Sequence, residues 1–77
     1  TEATVALAQF GFDYLRLLRI EIVMSVRNTA SRRVAEKAGG QFEGILANRL
    51  YLHGEAHDAR LYSLTPDLFD PRAAEAL

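Results

Sequence analysis

The feature that most constrains the fold of this chain is a two-residue alternation that passes directly into a helical pattern. Apolar side chains occupy every second position of Ile20–Val26, as in a β-strand with one buried face. Shortly afterwards, Asn28 or Thr29 can cap a helix, and Gly39 supplies the left-handed residue that ends one. The sequence therefore predicts a strand, starting at about Leu18, that leads at once into a well-bounded helix.

Further elements are predicted on both sides of this strand and helix. The amphipathic spacing of apolar residues predicts another helix from Glu2 to about Leu15. Two extended runs, Gln41–Leu52 and His57–Leu64, flank a polar stretch at 53–56 that is typical of a hairpin. Residues 65–77 are expected to form a turn and a tail. The predicted order is helix, strand, helix, strand, strand, which is an α/β (α+β) arrangement.

Composition excludes several classes of protein. Hydrophobic residues make up 49% of the 77 residues and the net charge is −1, a globular balance that fits neither a disordered chain nor a basic nucleic-acid module. Cysteine is absent, which excludes disulfides and cysteine-based zinc sites. The longest uncharged stretch, Ala3–Phe12, is too short to span a membrane. Because the chain starts at Thr1 and its only methionine is Met24, we expect it to be part of a longer protein.

The start of the second predicted helix is the strongest candidate for a functional site. Asn28, Ser31, Arg32 and Arg33 lie where the first strand passes into this helix. Unpaired backbone N–H groups at a helix N-terminus attract anions, and arginines add donors that fit phosphate. One interpretation is a ligand site in which Ser31 donates a proton. The alternative, which the residues alone favour, is that Asn28 caps the helix and both arginines are solvated.

Two other groups of residues are assigned structural roles. His53, Glu55, His57 and Asp58 have the side chains of a metal site, but Gly54 places a turn through their spacing, so a polar hairpin tip is favoured. The aromatic residues are expected to lie mainly in the core; they are Phe10, Phe12, Tyr14, Phe42, Tyr51, Tyr62 and Phe69.

Five segments carry a family resemblance: TEA at the start, LLRIEI at 17–22, VRNTASRRVAEKAG at 26–39, FEGILANRLYLHGE at 42–55 and HDARLYSLTP at 57–66. Together they resemble the C-terminal half of a GNAT-superfamily N-acetyltransferase of the RimJ/RimL type. The resemblance implies that residues 1–77 are the C-terminal portion of a single acetyltransferase domain with a mixed β-sheet, the N-terminal half being absent.

The resemblance also implies a mechanism. Acetyl-CoA would be the co-substrate, without a metal, and the acceptor would be an amine of a protein N-terminus or a small molecule. Asn28 matches a residue that contacts the CoA arm, Ser31 matches the position that can protonate the departing thiolate, and Arg32 or Arg33 would approach a CoA phosphate. The enzyme is expected to be cytoplasmic, with neither nucleic acid nor membrane as a partner. The Gly-rich pyrophosphate loop belongs to the absent half, so the fragment is expected to be inactive alone.

Three positions depart from the family pattern. Gly40 replaces an aromatic residue, which is expected to loosen the connection after the second helix, and Arg16 replaces a glycine in a turn. Leu50 occupies a position that carries an acidic general base in some relatives. The remaining candidates for the base are Glu43, a water molecule or a residue of the missing half.

A second functional class stays open, a non-catalytic structural or protein-interaction module derived from the same fold. The first strand is apolar on one face and partly apolar on the other, which is typical of a strand inside a sheet. We therefore expect a homo-oligomer formed through this exposed strand or through the first helix.

Overall fold

A computed structural model describes residues 2–74 of the chain, with side chains from Val5 to Arg72. Its elements are α1 (Glu2–Asp13), β1 (Ile20–Ser25), α2 (Thr29–Lys37), β2 (Gln41–Leu52), β3 (Glu55–Leu64) and a 3₁₀ helix, Pro71–Ala74. The predicted order is confirmed, and a turn follows β3 as expected. The end of the predicted tail, 75–77, lies outside the described residues. None of the helices described is long and apolar enough to cross a membrane.

The three strands form one sheet in which β3 lies between β1 and β2. The family resemblance predicts a mixed sheet, whereas every pairing among these strands is antiparallel. The reason is topological. The β1–α2–β2 connection makes β1 and β2 run in the same direction, but the hairpin inserts β3 between them. The outer edge of β1 therefore has no strand partner among the described residues.

Both helices pack on one face of this sheet, where Ile22 contacts two buried clusters. The first cluster consists of Val5, Ala8, Ala38 and Leu64, and the second of Met24, Ala35 and Tyr62. Register explains the shared face, since Ile20 lies opposite Leu64 and Ile22 opposite Tyr62. The alanines of α2 allow its backbone to approach the sheet closely.

The end of α2 is tightly fixed. Gly39 has a φ of 91°, and the N–H of Gly40 donates to the carbonyl oxygen of Ala35 at 2.8 Å, a Schellman arrangement. A Cβ on Gly40 would lie 2.7 Å from that oxygen, and a Cβ on Gly39 would overlap the carbonyl oxygen of Leu68. The expectation that Gly40 loosens this connection is wrong, because the backbone carbonyl group of Ala35 occupies the space that a side chain at position 40 would need.

Much apolar surface is left uncovered. Tyr62 is the one buried aromatic residue in the described part of the chain, and Phe12 and Phe69 pack beside the core with ring centroids 5.2 Å apart. The other four aromatic residues are exposed, namely Phe10, Tyr14, Phe42 and Tyr51. The expectation of a mainly buried aromatic set is wrong, because the outer faces of α1 and β2 have no covering element among the described residues.

Candidate functional site

Asn28 is the N-cap of α2. Its Oδ1 accepts a hydrogen bond of 3.0 Å from the backbone N–H of Ser31. The cap is held at the end of β1 because the Asn28 N–H donates to the carbonyl oxygen of Ser25 at 2.9 Å. The predicted capping role is confirmed. Since the cap uses only the oxygen of the Asn28 amide, its NH₂ group is available to a ligand.

The Ser31 side chain stands in the first turn of α2. It is partly exposed, and its hydroxyl has no hydrogen-bond partner within the described structure. The aligned peptide dipoles of α2 make this end of the helix positive, which stabilises a negatively charged group beside it. A hydroxyl at this position can donate a proton to an anion that develops in front of the helix. Capping and ligand binding are therefore compatible at this helix start.

The two arginines of this turn have different surroundings. Arg33 is exposed at the helix surface, whereas Arg32 is partly buried. They differ at the guanidinium, because the Nε of Arg32 is shielded from solvent and no hydrogen bond to it is found among the described residues. The structure thus places Asn28, Ser31 and Arg33 at the open start of α2, while Arg32 turns towards the sheet.

An apolar groove of about 600 Å³ lies between α1 and β1. Its lining includes Leu7, Phe10, Leu17, Ile20 and Val23. The groove runs beside the first half of β1, and the start of α2 comes shortly after the last residue of that strand. β1 therefore connects an open apolar surface with a helix N-terminus that carries free polar groups.

Glu43 was one candidate for the general base. Its Oε2 accepts a hydrogen bond of 2.6 Å from the Ser63 hydroxyl and another of 3.3 Å from Arg19. The Ser63 hydrogen bond and then the Arg19 guanidinium lower the pKa of this carboxyl below its ordinary value. A carboxylate held in this way is a poor acceptor of a proton from an amine, so the geometry argues against Glu43 as the base.

The polar residues at the hairpin tip are not arranged as metal ligands. His57 Nε2 lies 3.8 Å from Glu55 Oε2, and Asp58 Oδ1 instead accepts a hydrogen bond of 3.0 Å from the N–H of Asn48. Asn48 has a φ of 54° within an irregularity of β2, so Asp58 holds a bulge in place. Across the described residues, no three acidic or histidine side chains are placed to hold a metal ion.

A polar cluster beneath α2 was not predicted from the sequence. The Tyr62 hydroxyl donates a hydrogen bond of 2.8 Å to Glu36 Oε2, and burial, followed by this contact, raises the Tyr62 pKa. Arg60 lies on the same face of β3 as Tyr62 and Leu64. The two-residue period of β3 could have indicated this cluster, because it places the charged side chain of Arg60 on a face that is otherwise covered.

Comparison with known proteins gives the family. The model of the GNAT acetyltransferase domain matches residues 1–41, which include α1, β1 and the whole of α2. The chain belongs to the GNAT acetyltransferase family. This match includes the Asn28-capped start of α2, so the candidate site lies within the part of the chain that defines the family.

Individual relatives cover most of this GNAT chain. The uncharacterized N-acetyltransferase YoaA of Bacillus subtilis is 36% identical over 64 residues, which are 83% of this chain and 36% of YoaA. The crystal structure of a GCN5-related N-acetyltransferase from Brucella melitensis matches 97% of this chain and 34% of its own, with 32% identity and a TM-score of 0.77.

A ribosomal-protein-S5-alanine acetyltransferase from Vibrio fischeri also matches, with 29% identity, a TM-score of 0.78 and coverage of 90% of this chain and 38% of its own. Its name agrees with the predicted RimJ/RimL branch. In all three comparisons the chain spans little more than a third of the relative's length.

Proposed function

We propose that residues 1–77 form the C-terminal portion of an N-acetyltransferase that transfers an acetyl group from acetyl-CoA to an amine. The observation that carries this proposal is the start of α2, where the Asn28 cap leaves its own NH₂ group and the Ser31 hydroxyl unpaired within the described structure. The family membership supports the reaction class. The rest of the domain would contact this chain at the free edge of β1 and at the adjoining groove.

The residues at this helix start fit the polar part of acetyl-CoA. Acetyl-CoA supplies an acetyl thioester to the reaction. The Asn28 NH₂ group can donate to a carbonyl oxygen of the CoA arm, and the Arg33 guanidinium can pair with a phosphate. Arg32, predicted together with Arg33, is the weaker candidate because it is turned towards the sheet.

Ser31 Oγ is proposed as the general acid. Its proton passes to the thiolate sulfur as the amine attacks the acetyl carbon and the carbon–sulfur bond breaks. The positive N-terminal end of α2 stabilises the same developing negative charge. The amine must lose a proton in turn. With Glu43 bound to Ser63 and Arg19, this proton goes to water or to a residue outside these 77.

The acceptor is proposed to be an amine on a protein rather than on a small molecule. The similarity to a ribosomal-protein-S5-alanine acetyltransferase favours this choice. A cytoplasmic location, expected from the family resemblance, stays a prediction.

Calorimetric titration with acetyl-CoA tests the site. The protein should contain residues 1–77 within a complete acetyltransferase domain. Asn28→Ala should weaken binding, whereas Thr29→Ala, an exposed change in the same turn, should not. Equal affinity of the Asn28→Ala variant and the unchanged protein would contradict the proposal. The 77-residue chain alone should release no thiol from acetyl-CoA, because positioning supplies much of the rate enhancement.

The open surface favours a second proposal, association of the chain with itself. Leu7 on α1 is 72% exposed and Leu18 before β1 is 83% exposed, beside a strand edge that has no partner in the described structure. Such an edge can be satisfied by pairing with a second copy. Sedimentation at micromolar concentration should therefore show a dimer or a larger species.

Variants of the exposed surface locate this contact. Leu7→Lys should shift the species towards monomer, while Leu68→Lys, a change of an exposed residue outside the groove lining, should leave it unchanged. A folded, strictly monomeric unchanged chain would overturn the self-association proposal.

A further inference from the structure

Two arginine side chains flank Tyr62 beneath α2. Arg32 lies one helical turn before Glu36, whose carboxylate accepts the Tyr62 hydroxyl hydrogen bond. Arg60 lies two residues before Tyr62 on the same face of β3. The charges of both arginines oppose the rise of the Tyr62 pKa. Each is partly buried, and the Nε atom of each is shielded from solvent without a hydrogen-bond partner among the described residues. No described carboxylate lies within ion-pair distance of either guanidinium.

Packing rather than ion pairing holds Arg60 in place. Its Cζ atom lies 5.7 Å from the centroid of the Phe42 ring, which is itself 5.5 Å from the Tyr62 ring. The Glu36 carboxylate, which also lies at this cluster, accepts the Tyr62 hydroxyl hydrogen bond. The Phe42 ring remains 52% exposed, so an apolar surface adjoins the two guanidinium groups.

The Nε donors of Arg32 and Arg60 have no acceptor among the described residues. Leaving a buried donor unpaired is unfavourable. A carboxylate has two oxygens that can accept from guanidinium groups in a planar geometry, which would satisfy both arginines together. The Phe42 ring would then contact whatever apolar group carries that carboxylate.

We propose that Arg32 and Arg60 form a binding site for a carboxylate attached to a hydrophobic group, such as the C-terminal residue of a peptide. The site goes beyond the proposed transferase function, since it uses neither Asn28 nor Ser31. It lies between α2 and the sheet rather than at the open start of the helix.

NMR of the arginine Nε–H groups tests this site directly on a ¹⁵N-labelled protein that contains residues 1–77. The probe is N-acetylphenylalanine, and its neutral amide is the matched control ligand. The carboxylate should shift two Nε–H signals saturably, with a dissociation constant on the order of 1 mM. The amide should produce no saturable shift. Absence of a saturable shift with the carboxylate, or equal shifts with both ligands, would overturn the proposal.

Variants assign the signals and test the geometry. Arg32→Met should remove one of the shifted signals and weaken binding at least about tenfold. Arg60→Lys keeps the charge and the apolar stem but lacks the planar fork, so it should also weaken binding. Arg49→Met, a change of an exposed arginine on β2, should bind like the unchanged chain. Unchanged affinity in both the Arg32→Met and Arg60→Lys variants would overturn the site. Amide signal dispersion verifies that each variant is folded.

Inorganic phosphate distinguishes the source of the anion. The proposal expects phosphate to shift the same signals more weakly than N-acetylphenylalanine, because phosphate has no apolar group to contact Phe42. Tighter binding of phosphate than of the carboxylate would overturn the assignment to a peptide carboxylate and would indicate a phosphate site.

Discussion

The Ser63 hydroxyl donates a hydrogen bond of 2.6 Å to Glu43 Oε2, joining the central strand β3 to the start of β2. Ser63 is buried, with 3% of its surface exposed, whereas Glu43 lies at the rim of the sheet. Arg19, in the segment before β1, reaches the same carboxylate at 3.3 Å. One carboxylate therefore links β2, β3 and the segment that leads into β1.

This link predicts a loss of stability in acid. The folded pKa of Glu43 is lowered from 4.5, first by the Ser63 hydrogen bond and then by Arg19. The ionised carboxylate consequently stabilises the fold at pH values above 4.5, and this contribution disappears as the pH falls through the lower folded pKa. Urea unfolding of Glu43→Gln should show a weaker pH dependence in this acidic range than unfolding of the unchanged chain. Asp67→Asn, which alters another exposed carboxyl, should keep the pH dependence. An unchanged dependence in Glu43→Gln would contradict the link.

The close approach at the end of α2 predicts that Gly39→Ala is strongly destabilising. The new Cβ would overlap the carbonyl oxygen of Leu68 and would sit at a φ of 91°. Gly54→Ala is the matched control, because Gly54 has a φ of 79° but a Cβ added there would meet no atom within 4 Å. Gly54→Ala should cost about 1 kcal/mol from backbone strain alone, and Gly39→Ala clearly more. Equal losses in denaturant unfolding would contradict the Leu68 contact.

The turn between α1 and β1 predicts a stabilising change. Arg16 has a φ of 54°, in the left-handed region that favours glycine, at the position where the family usually has glycine. Arg16→Gly should raise the free energy of unfolding by about 0.5–1 kcal/mol, since the relief of strain exceeds the added freedom of the unfolded chain. Arg27→Gly, at an exposed residue without a positive φ, should lower it. A loss of stability in Arg16→Gly would show that the turn is not strained.

Local signals were sufficient for the elements and for the helix cap. The alternation in Ile20–Val26 and the boundaries set by Asn28 and Gly39 act over a few residues, so they could be interpreted without tertiary information. The burial of aromatic residues could not be predicted in this way. It depends on which faces of α1 and β2 are covered. A helical or alternating pattern identifies the apolar face of an element, but it does not show which other element covers that face.

The same limit explains the errors at single positions. The close approach of Gly40 to Ala35 arises from the path of the chain after α2, which residue type alone does not show. The interaction of Ser63 with Glu43 depends on the register in which β2 pairs with β3. The sequence predicts that these two strands form a hairpin but does not give their register. The alternating pattern of β3 places Arg60 on the covered face but does not show which groups surround it.

The cap of α2 predicts that two neighbouring changes affect stability differently. Asn28→Ala removes the acceptor of the Ser31 N–H and should lower the free energy of unfolding by about 1 kcal/mol. Ser31→Ala leaves this backbone hydrogen bond intact and removes a hydroxyl that has no partner in the described structure, so it should change stability little. Thermal unfolding of the two variants measures the difference. A larger loss in Ser31→Ala would mean that its hydroxyl supports the fold.

The most direct test of the proposed function is kcat for acetyl transfer by Ser31→Ala, measured at saturating acetyl-CoA and amine. The measurement requires a protein that contains residues 1–77 within a complete acetyltransferase domain. If Ser31 Oγ protonates the departing thiolate, kcat should fall by about ten- to a thousandfold while acetyl-CoA affinity stays nearly unchanged. A Ser31→Ala variant that retains full kcat would contradict the assignment of Ser31 as the acid and would leave the start of α2 with a structural role only.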